Sequence, residues 1–220
     1  MGCLLNVVTP LHKSTNRDVL GRINDNKIDA MRIARKFDRN YWDGDRRYGY
    51  GGYHYDGRWE RVARSLVDLY QLPPDARILD VGAGKGFLLY EFTRILPNCQ
   101  VTGFDLSDYA VAHSKEEVRD KLFVHQAQHP YPFGDKAFDL VISINTLHNL
   151  HIFELKAALQ EIERVGKNRY VLVEGYRNEQ ELFNLQCWAL TANAFFTPQE
   201  WTWLYREFGY TGDYEFIYFE

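Results

Sequence analysis

The chain has 220 residues, with 26 Lys and Arg against 30 Asp and Glu, a formal charge of −4. Hydrophobic residues make up 45% of it and aromatic residues 15%, which suits one folded domain, or one domain with an extension, and excludes a disordered chain. No apolar run approaches the roughly 18 to 20 residues of a membrane helix, so no membrane partner is expected.

The opening segment MGCLLNVVTPLHKSTNRD lacks a basic n-region and an A-x-A site, which argues against a secretory signal, and Asn6 stands where a myristoylation signal has Ser or Thr. Cys3, Cys99 and Cys187 are too far apart for a zinc site of ordinary spacing or a disulfide framework, so a cytoplasmic protein without a metal is expected. Residues 1–64 hold 13 basic and 8 acidic side chains, a balance of +5, and residues 65–220 hold 13 and 22, a balance of −9. The basic segment is either a solvated face or a surface that meets an anionic, phosphorylated small molecule.

In chain order, residues 29–42 read as a short amphipathic helix. YWDGDRRYGYGGYHYDGRW (41–59) then packs seven aromatics and five glycines into nineteen residues. Its glycines oppose a helix by roughly 1 kcal/mol each, so an irregular loop or lid is expected. A longer helix over 58–72 leads through Pro73 and Pro74 into the first strand. From there strands at 77–82, 100–106, 121–127, 138–145, 169–175 and 214–220 alternate with helices at 86–96, 107–118, 152–165, 178–195 and 197–209, the pattern of a parallel sheet with crossover helices. Thr197 and Glu200 form a capping box with Pro198 at the first helical position, and Gly209 is the stop. Trp188, Phe195, Phe196, Trp201 and Trp203 belong either to the core or to a homodimer face.

The chemistry concentrates in ILDVGAGKGF, where an apolar strand runs into Asp80 and then Gly82, Gly84 and Gly86 before a helix. Such glycines let the chain turn tightly and let a ligand lie against the strand end. The spacing G-x-G-x-G has Phe87 where a dinucleotide fingerprint has its third glycine, and no Gly-Lys-Ser/Thr follows for a P-loop. The second strand ends in GFDLS, which sets Asp105 beside the glycine turn, where a carboxylate can accept from both hydroxyls of a ribose.

DVGAGKG, FDLS and FDLVISINTLHNL together resemble the class I S-adenosylmethionine-dependent methyltransferases. The resemblance implies a Rossmann-like sheet of six or seven mostly parallel strands flanked by helices. Residues 58–220 would be the S-adenosylmethionine-binding domain and residues 1–57 an N-terminal extension and lid. It also implies that Gly82, Gly84 and Gly86 face the cofactor, that Asp80 orients its amino group, that Asp105 holds the ribose and that Leu106 packs on the adenine. Gln126 stands where many members have Asp or Asn, and with Ala127 it would meet the adenine edge. The family usually closes its sheet with a hairpin of two strands, whereas this chain offers only YEFIYFE, with room for a very short strand at 210–213.

Asn145 would reach the methionine moiety, and His148 is either the general base or a loop histidine that caps the next helix. The 41–59 segment is similar to an N-terminal element of small bacterial methyltransferases of surface-sugar and nucleotide-sugar pathways, and its glycine hinges suit a cover that excludes water. Arg58 could pair with the cofactor carboxylate, Tyr50, Tyr53 and His54 could face the acceptor, and Arg46 and Arg47 could clamp a phosphate. His125 and His129 are set aside as surface residues. The expected activity is methylation of a small-molecule hydroxyl. The alternatives are RNA or nitrogen methylation, which the net charge disfavours for RNA, and a non-catalytic cofactor-binding regulatory subunit.

Overall fold

The computed structural model describes residues 2–15 and 17–220. Four short helices, α1 (Thr9–Lys13), α2 (Val19–Asn24), α3 (Lys27–Ala34) and α4 (Arg39–Asp43), precede α5 (Glu60–Tyr70). Then come β1 (Arg77–Val81), α6 (Phe87–Ile95), β2 (Gln100–Asp105), α7 (Asp108–Ala112), β3 (Leu122–Val124) and β4 (Phe138–Ile144). The chain continues through α8 (Ile152–Val165), β5 (Gly166–Glu174), α9 (Glu179–Trp188), α10 (Pro198–Glu207) and β6 (Asp213–Ile217).

The strands form one six-stranded sheet in the order β3-β2-β1-β4-β5-β6, and every neighbouring pair is parallel. Alternation along the strands sends side chains to opposite faces. Leu79, Val81, Val141, Val171 and Val173 pack under α8 and α10, while Ile78, Leu140, Ile142, Tyr170 and Leu172 pack under α5 and α6. Strand order reverses between β1 and β4, so a crevice opens at the carboxyl ends of these strands, where open α/β sheets place their ligands.

The sheet has six strands, as the single terminal strand of the sequence implies; no extra strand forms at 210–212, and residues 209–212 turn directly into β6. The outer edge of β6 is met instead by the N-terminal segment. Leu4 bridges Tyr214 in parallel, Leu5 N donates to Tyr214 O (2.8 Å), and Tyr214 N donates to Cys3 O (3.0 Å). The Glu215 carboxylate, 1% exposed, then accepts from the N–H groups of Val7, Val8 and Thr9, from the Thr9 hydroxyl and from the Tyr170 hydroxyl. This buried anion thereby serves the free donors at the start of α1.

Several boundaries differ from the sequence reading. The helix expected over 29–42 breaks at Phe37, whose φ is +49°, and restarts where Asp38 caps the N–H of Asn40. The 107–118 helix stops at Ala112, because Lys115 N turns back to Lys85 O (2.9 Å) and residues 116–121 tighten to a 3-10 turn. The strand at 121–127 is held to Leu122–Val124. The 178–195 helix ends at Trp188, since Asn193 and Ala194 donate to His148 O instead (3.0 and 2.9 Å), and these tertiary bonds outweigh local helix propensity. The 41–59 segment is irregular except for Tyr41–Asp43 in α4 and one 3-10 turn at Arg46–Tyr48. His125 is half-buried rather than a surface residue, its ring set edge-on to Phe104 at 5.1 Å. The capping box of Thr197 and Glu200 opens α10, and Gly209, with φ +78°, follows its end. Among the described residues no helix is long and apolar enough to cross a membrane.

Candidate functional site

The glycine turn after β1 enters the left-handed region at Gly82, with φ +83°, and again at Gly84, with φ +54°. A side chain at Gly82 would start 2.0 Å from the Thr146 hydroxyl, so the turn and the end of β4 can approach each other only because glycine stands there. At the end of β2 the buried Asp105 carboxylate accepts from Gly84 N and Ser107 N, both at 2.9 Å, and so fixes the turn's shape. Asp80 is 5% exposed and has no hydrogen-bonding partner for its carboxylate among the described residues. Burial, with the charge of Asp105 added, pushes its pKa up to about 8. Asn145 leaves β4 in the left-handed region (φ +56°), and its Oδ1 is likewise buried without a partner.

Asp80, Gly82, Gly84 and Asn145 line a cavity of about 60 Å³ roofed by Trp42, Tyr50, Tyr53 and Trp59. A larger cavity of about 340 Å³ adjoins it and shares Tyr50, Tyr53, Trp59, Phe87 and Asn145 with it. On the wall of the larger one lies His148, 4% exposed. Its Nδ1 accepts from Glu174 N (3.3 Å), which leaves the ring proton on Nε2, 3.5 Å from Glu174 Oε2. Burial lowers the pKa of His148 and the Glu174 charge partly opposes it, so the ring is neutral at pH 7. Glu174 Oε2 is buried without a hydrogen bond.

The glycine-tyrosine segment lies across both cavities. Tyr50 stacks on Trp42 (5.2 Å between ring centres) and is 40% exposed toward the larger cavity. Tyr53 stacks on Phe87 (4.9 Å), and its hydroxyl accepts from Trp59 Nε1 (3.1 Å). His54 lines the mouth of the larger cavity. Arg58 also reaches that mouth, but its guanidinium is paired with Asp56 (2.5 Å). Arg46 faces the cavity, while Arg47 turns away to Asp25 (3.4 Å). Leu106 is exposed at the end of β2, Ala127 is buried nearby in sequence after β3, and the exposed Gln126 side chain accepts from Gln128 Nε2.

A family model described as a methyltransferase domain matches residues 72–209. The chain belongs to the class I S-adenosylmethionine-dependent methyltransferases. It is 30% identical over 115 residues to a demethylmenaquinone methyltransferase of Roseiflexus sp. (strain RS-1), a match covering 51% of this chain and 46% of that protein. It is 29% identical over 114 residues to a glycine/sarcosine/dimethylglycine N-methyltransferase of Actinopolyspora halophila, covering 49% of this chain and 20% of that one. The chain therefore spans less than half the length of these two relatives. Among solved structures it shares the fold of the geranyl diphosphate C-methyltransferase of Streptomyces coelicolor A3(2) (TM-score 0.57, 15% identity, 81% of this chain and 78% of that one). It also shares that of the YcgJ protein of Bacillus subtilis (TM-score 0.52, 18% identity, 66% of each chain).

The residues of this methyltransferase fit its cofactor on their own chemistry. Two acceptors without donors among the described residues, the Asp80 carboxylate on a 5% exposed residue and the buried Asn145 Oδ1, share one cavity with the glycine turn, a setting made for an ammonium group. The room beside them is well below the roughly 300 Å³ at which ligand pockets begin, because Trp42 lies on the turn: a Cβ at Gly84 would sit 2.9 Å from its ring. The aromatic segment must therefore shift for a nucleoside to enter.

Two functional features escaped the sequence reading. Lys85, inside the glycine motif and 4% exposed, donates to both oxygens of Asp43 (2.7 Å) and to Tyr53 O (3.0 Å), and so pins the aromatic segment to the cofactor turn. Tyr109 adds a hydrogen bond to Asp43 (2.9 Å), and these donors hold the Asp43 pKa below the usual carboxylate range against its burial. Glu174 is the other. Its signal was a single acid closing the apolar run YVLV at the carboxyl end of a strand, where such sheets present catalytic groups.

Proposed function

We propose that the chain transfers the methyl group of S-adenosylmethionine to a hydroxyl of a phosphorylated small molecule, of the class of sugars and nucleotide sugars used in bacterial surface-glycan assembly. The observation that carries this reading is the junction of the two cavities. Unpaired Asp80 and Asn145 lie on one side of it, and on the other a wider space is walled by His148 and Glu174. The rings of Tyr50, Trp59 and Trp188 along that space suit the face of a sugar.

When bound, S-adenosylmethionine supplies a methyl carbon on a sulfonium that needs no protein nucleophile. Asp80 and Asn145 would hold the ammonium, Asp105 the ribose hydroxyls, and Leu106, Gln126 and Ala127 the adenine. Gly82 and Gly84 leave the backbone open to it, whereas a Cβ at Gly86 would meet Val118 and Leu122 (3.1 and 3.2 Å), so that glycine serves the packing of the turn rather than the cofactor. Arg58 would exchange Asp56 for the cofactor carboxylate. Alignment of the acceptor oxygen with the methyl carbon supplies most of the acceleration. As the carbon–oxygen bond forms and the carbon–sulfur pair returns to sulfur, the hydroxyl proton passes to the His148–Glu174 pair. Because both ring nitrogens of His148 face Glu174, we assign the proton to the free Glu174 carboxylate, with His148 Nε2–H steadying it. Tyr50 and His54 would contact the acceptor, and Tyr53, committed to Trp59, would order the cover. The unpaired Glu174 carboxylate also suits an ammonium, so phosphorylated amines form a second acceptor class.

The test is calorimetric titration with S-adenosylmethionine and S-adenosylhomocysteine of the wild type, Asp80→Asn and Asp105→Ala, followed by assay of S-adenosylhomocysteine release over sugar phosphates, nucleotide sugars and phosphorylated amines. Binding in the wild type that weakens about 100-fold or more in both variants is expected, in line with the loss of charged hydrogen bonds in a buried site. No binding to the wild type, with or without acceptors, would overturn the reading.

A further inference from the structure

At the rim of the larger cavity three guanidinium groups gather on one indole. Arg22 lies 4.1 Å, Arg46 5.0 Å and Arg17 5.7 Å from the centre of the Trp188 ring. All four residues line the cavity. Among the described residues none of the three arginines has a carboxylate within ion-pair distance, whereas Arg47 and Arg58 beside them are neutralised by Asp25 and Asp56. Each of the three is instead tethered by backbone carbonyls. Arg17 donates to His12 O (3.0 Å) and Thr15 O (3.1 Å), Arg22 to Arg46 O (2.8 Å) and Gly49 O (3.3 Å), and Arg46 to Gly49 O.

His12 holds the arrangement without adding charge. Its ring faces Tyr218 O (3.1 Å) with Nε2 and Arg17 Nη2 (3.0 Å) with Nδ1, and burial with the nearby Arg17 lowers its pKa to about 4. The cations also suffer from one another. Burial and the charge of Arg46 bring the Arg22 pKa down to about 10. With the more distant Glu174 charge acting on Arg17 alone and no carboxylate among the described residues within ion-pair distance of any of them, three half-buried or rim guanidiniums held together are costly unless a ligand supplies further negative charge. A single carboxylate would leave two of them uncompensated and a phosphate dianion one, while a diphosphate trianion matches their number, and both phosphate groups suit their bidentate geometry.

We propose that Arg17, Arg22 and Arg46, gathered on Trp188, form the subsite for the phosphate or diphosphate group of the acceptor. The proposal rests on the small-molecule reading above and assigns recognition to α1–α2 and the glycine-tyrosine segment, leaving the reacting hydroxyl to Glu174 on the wall of the same cavity. The set differs from the sequence reading, which paired Arg46 with Arg47.

The experiment measures binding of inorganic pyrophosphate, orthophosphate, succinate and an oligouridylate to the whole chain, by tryptophan fluorescence and thermal shift. It compares the wild type with Arg22→Gln/Arg46→Gln, Arg22→Lys, and Arg64→Gln as a distant surface control. S-Adenosylhomocysteine affinity and circular dichroism are recorded on each. Pyrophosphate binding that falls at least tenfold in the double variant, is largely kept in Arg22→Lys and is unchanged in Arg64→Gln is expected, with S-adenosylhomocysteine affinity equal throughout. If the double variant fails to fold, the exposed Arg46→Gln alone carries the comparison, with a loss of several-fold expected. Equal pyrophosphate affinity in wild type and folded variants, or succinate binding as tight as pyrophosphate, would overturn the subsite. Tighter, arginine-dependent binding of the oligouridylate would overturn it in favour of RNA. Pyrophosphate binding of the expected pattern in a chain that ignores S-adenosylhomocysteine would retain the subsite and defeat the methyltransferase reading instead.

Discussion

The parallel sheet and the N-terminal extension are held by different forces. The central strands β1, β4 and β5 bury alternating apolar residues against helices on both faces, and the sheet's unpaired polar groups, Asp80, Asn145 Oδ1 and Glu174 Oε2, sit at or just beyond the carboxyl ends of strands. The extension has little core of its own: α1 and α2 bury no residue fully, α3 buries Ala30 and Ala34, and α4 buries Trp42. Apart from Val8, which is buried in the sheet's core with Leu5, Val7 and Leu11 packed beside it, it is fixed largely by polar tethers. Glu215 grips the start of α1, Lys27 donates to the last carbonyls of α9 at Gln186 and Cys187, Trp42 Nε1 donates to Ser107 Oγ (2.9 Å), and Lys85 clasps Asp43. A rigid scaffold thus presents an incomplete site, and a loosely cored segment completes it through bonds that can be removed one at a time.

The sharpest break between the two lies at Glu174, which belongs wholly to the scaffold. Glu174→Gln should lower kcat by about 10² to 10⁴, the range for a lost proton acceptor, while S-adenosylhomocysteine affinity stays within twofold. An equal fall in cofactor affinity would show that Glu174 shapes the site rather than taking the proton. On the extension's side, Glu215→Ala strands five donors and should cost about 3 kcal/mol. That corresponds to a fall in melting temperature of about 6 to 12 °C for a domain of this size. At low temperature the variant should still bind S-adenosylhomocysteine, since Asp80 and Asp105 are untouched; loss of cofactor binding in a folded protein would erase the distinction between the two regions.

Asp80 offers a comparison by pH. Its pKa is raised to about 8, and an ammonium demands the carboxylate, so binding must release the proton. Affinity for S-adenosylhomocysteine should climb about tenfold per pH unit up to about 8 and then level, and calorimetry in buffers of different ionisation enthalpy should detect the released proton. The sign for stability is opposite. A carboxylic acid with a raised folded-state pKa loses stability as pH rises from its unfolded value toward about 8, and Asp80→Asn should remove that slope. The smallest effect is expected at the clasp. Lys85→Met/Asp43→Asn should speed S-adenosylhomocysteine association a few-fold in stopped-flow traces by freeing the aromatic cover, and an unchanged rate would mean that the cover moves without releasing Lys85.

The sheet was legible because it is written locally: alternating apolar strands, glycines after Asp80 and an acid after GF all lie within short windows. What escaped is written across distance. Lys85 reads as an unremarkable member of a glycine turn until Asp43 is folded onto it, and Glu215 as one acid in a terminal strand until α1 is docked there. Arg17 and Arg22 lie in stretches with no pattern, and only Trp188, more than 160 residues away, makes a cluster of them. The single terminal run YEFIYFE already told that the closing hairpin is missing, but not that residues 3–5 from the opposite end of the fold take its place on the β6 edge.

That last pairing has a consequence for how the protein is made. Thr9 and Glu215 are 206 residues apart, so during vectorial synthesis α1 and the arginines that follow it are made long before β6 and lack this docking surface until β6 has emerged. Until β6 has been made, the donors at the start of α1 lack the Glu215 carboxylate that serves them, and the site can assemble only once β6 has paired. A ribosome stalled before residue 213 should therefore hold a nascent chain whose first helices are still open to protease, while the same helices in the finished chain are protected.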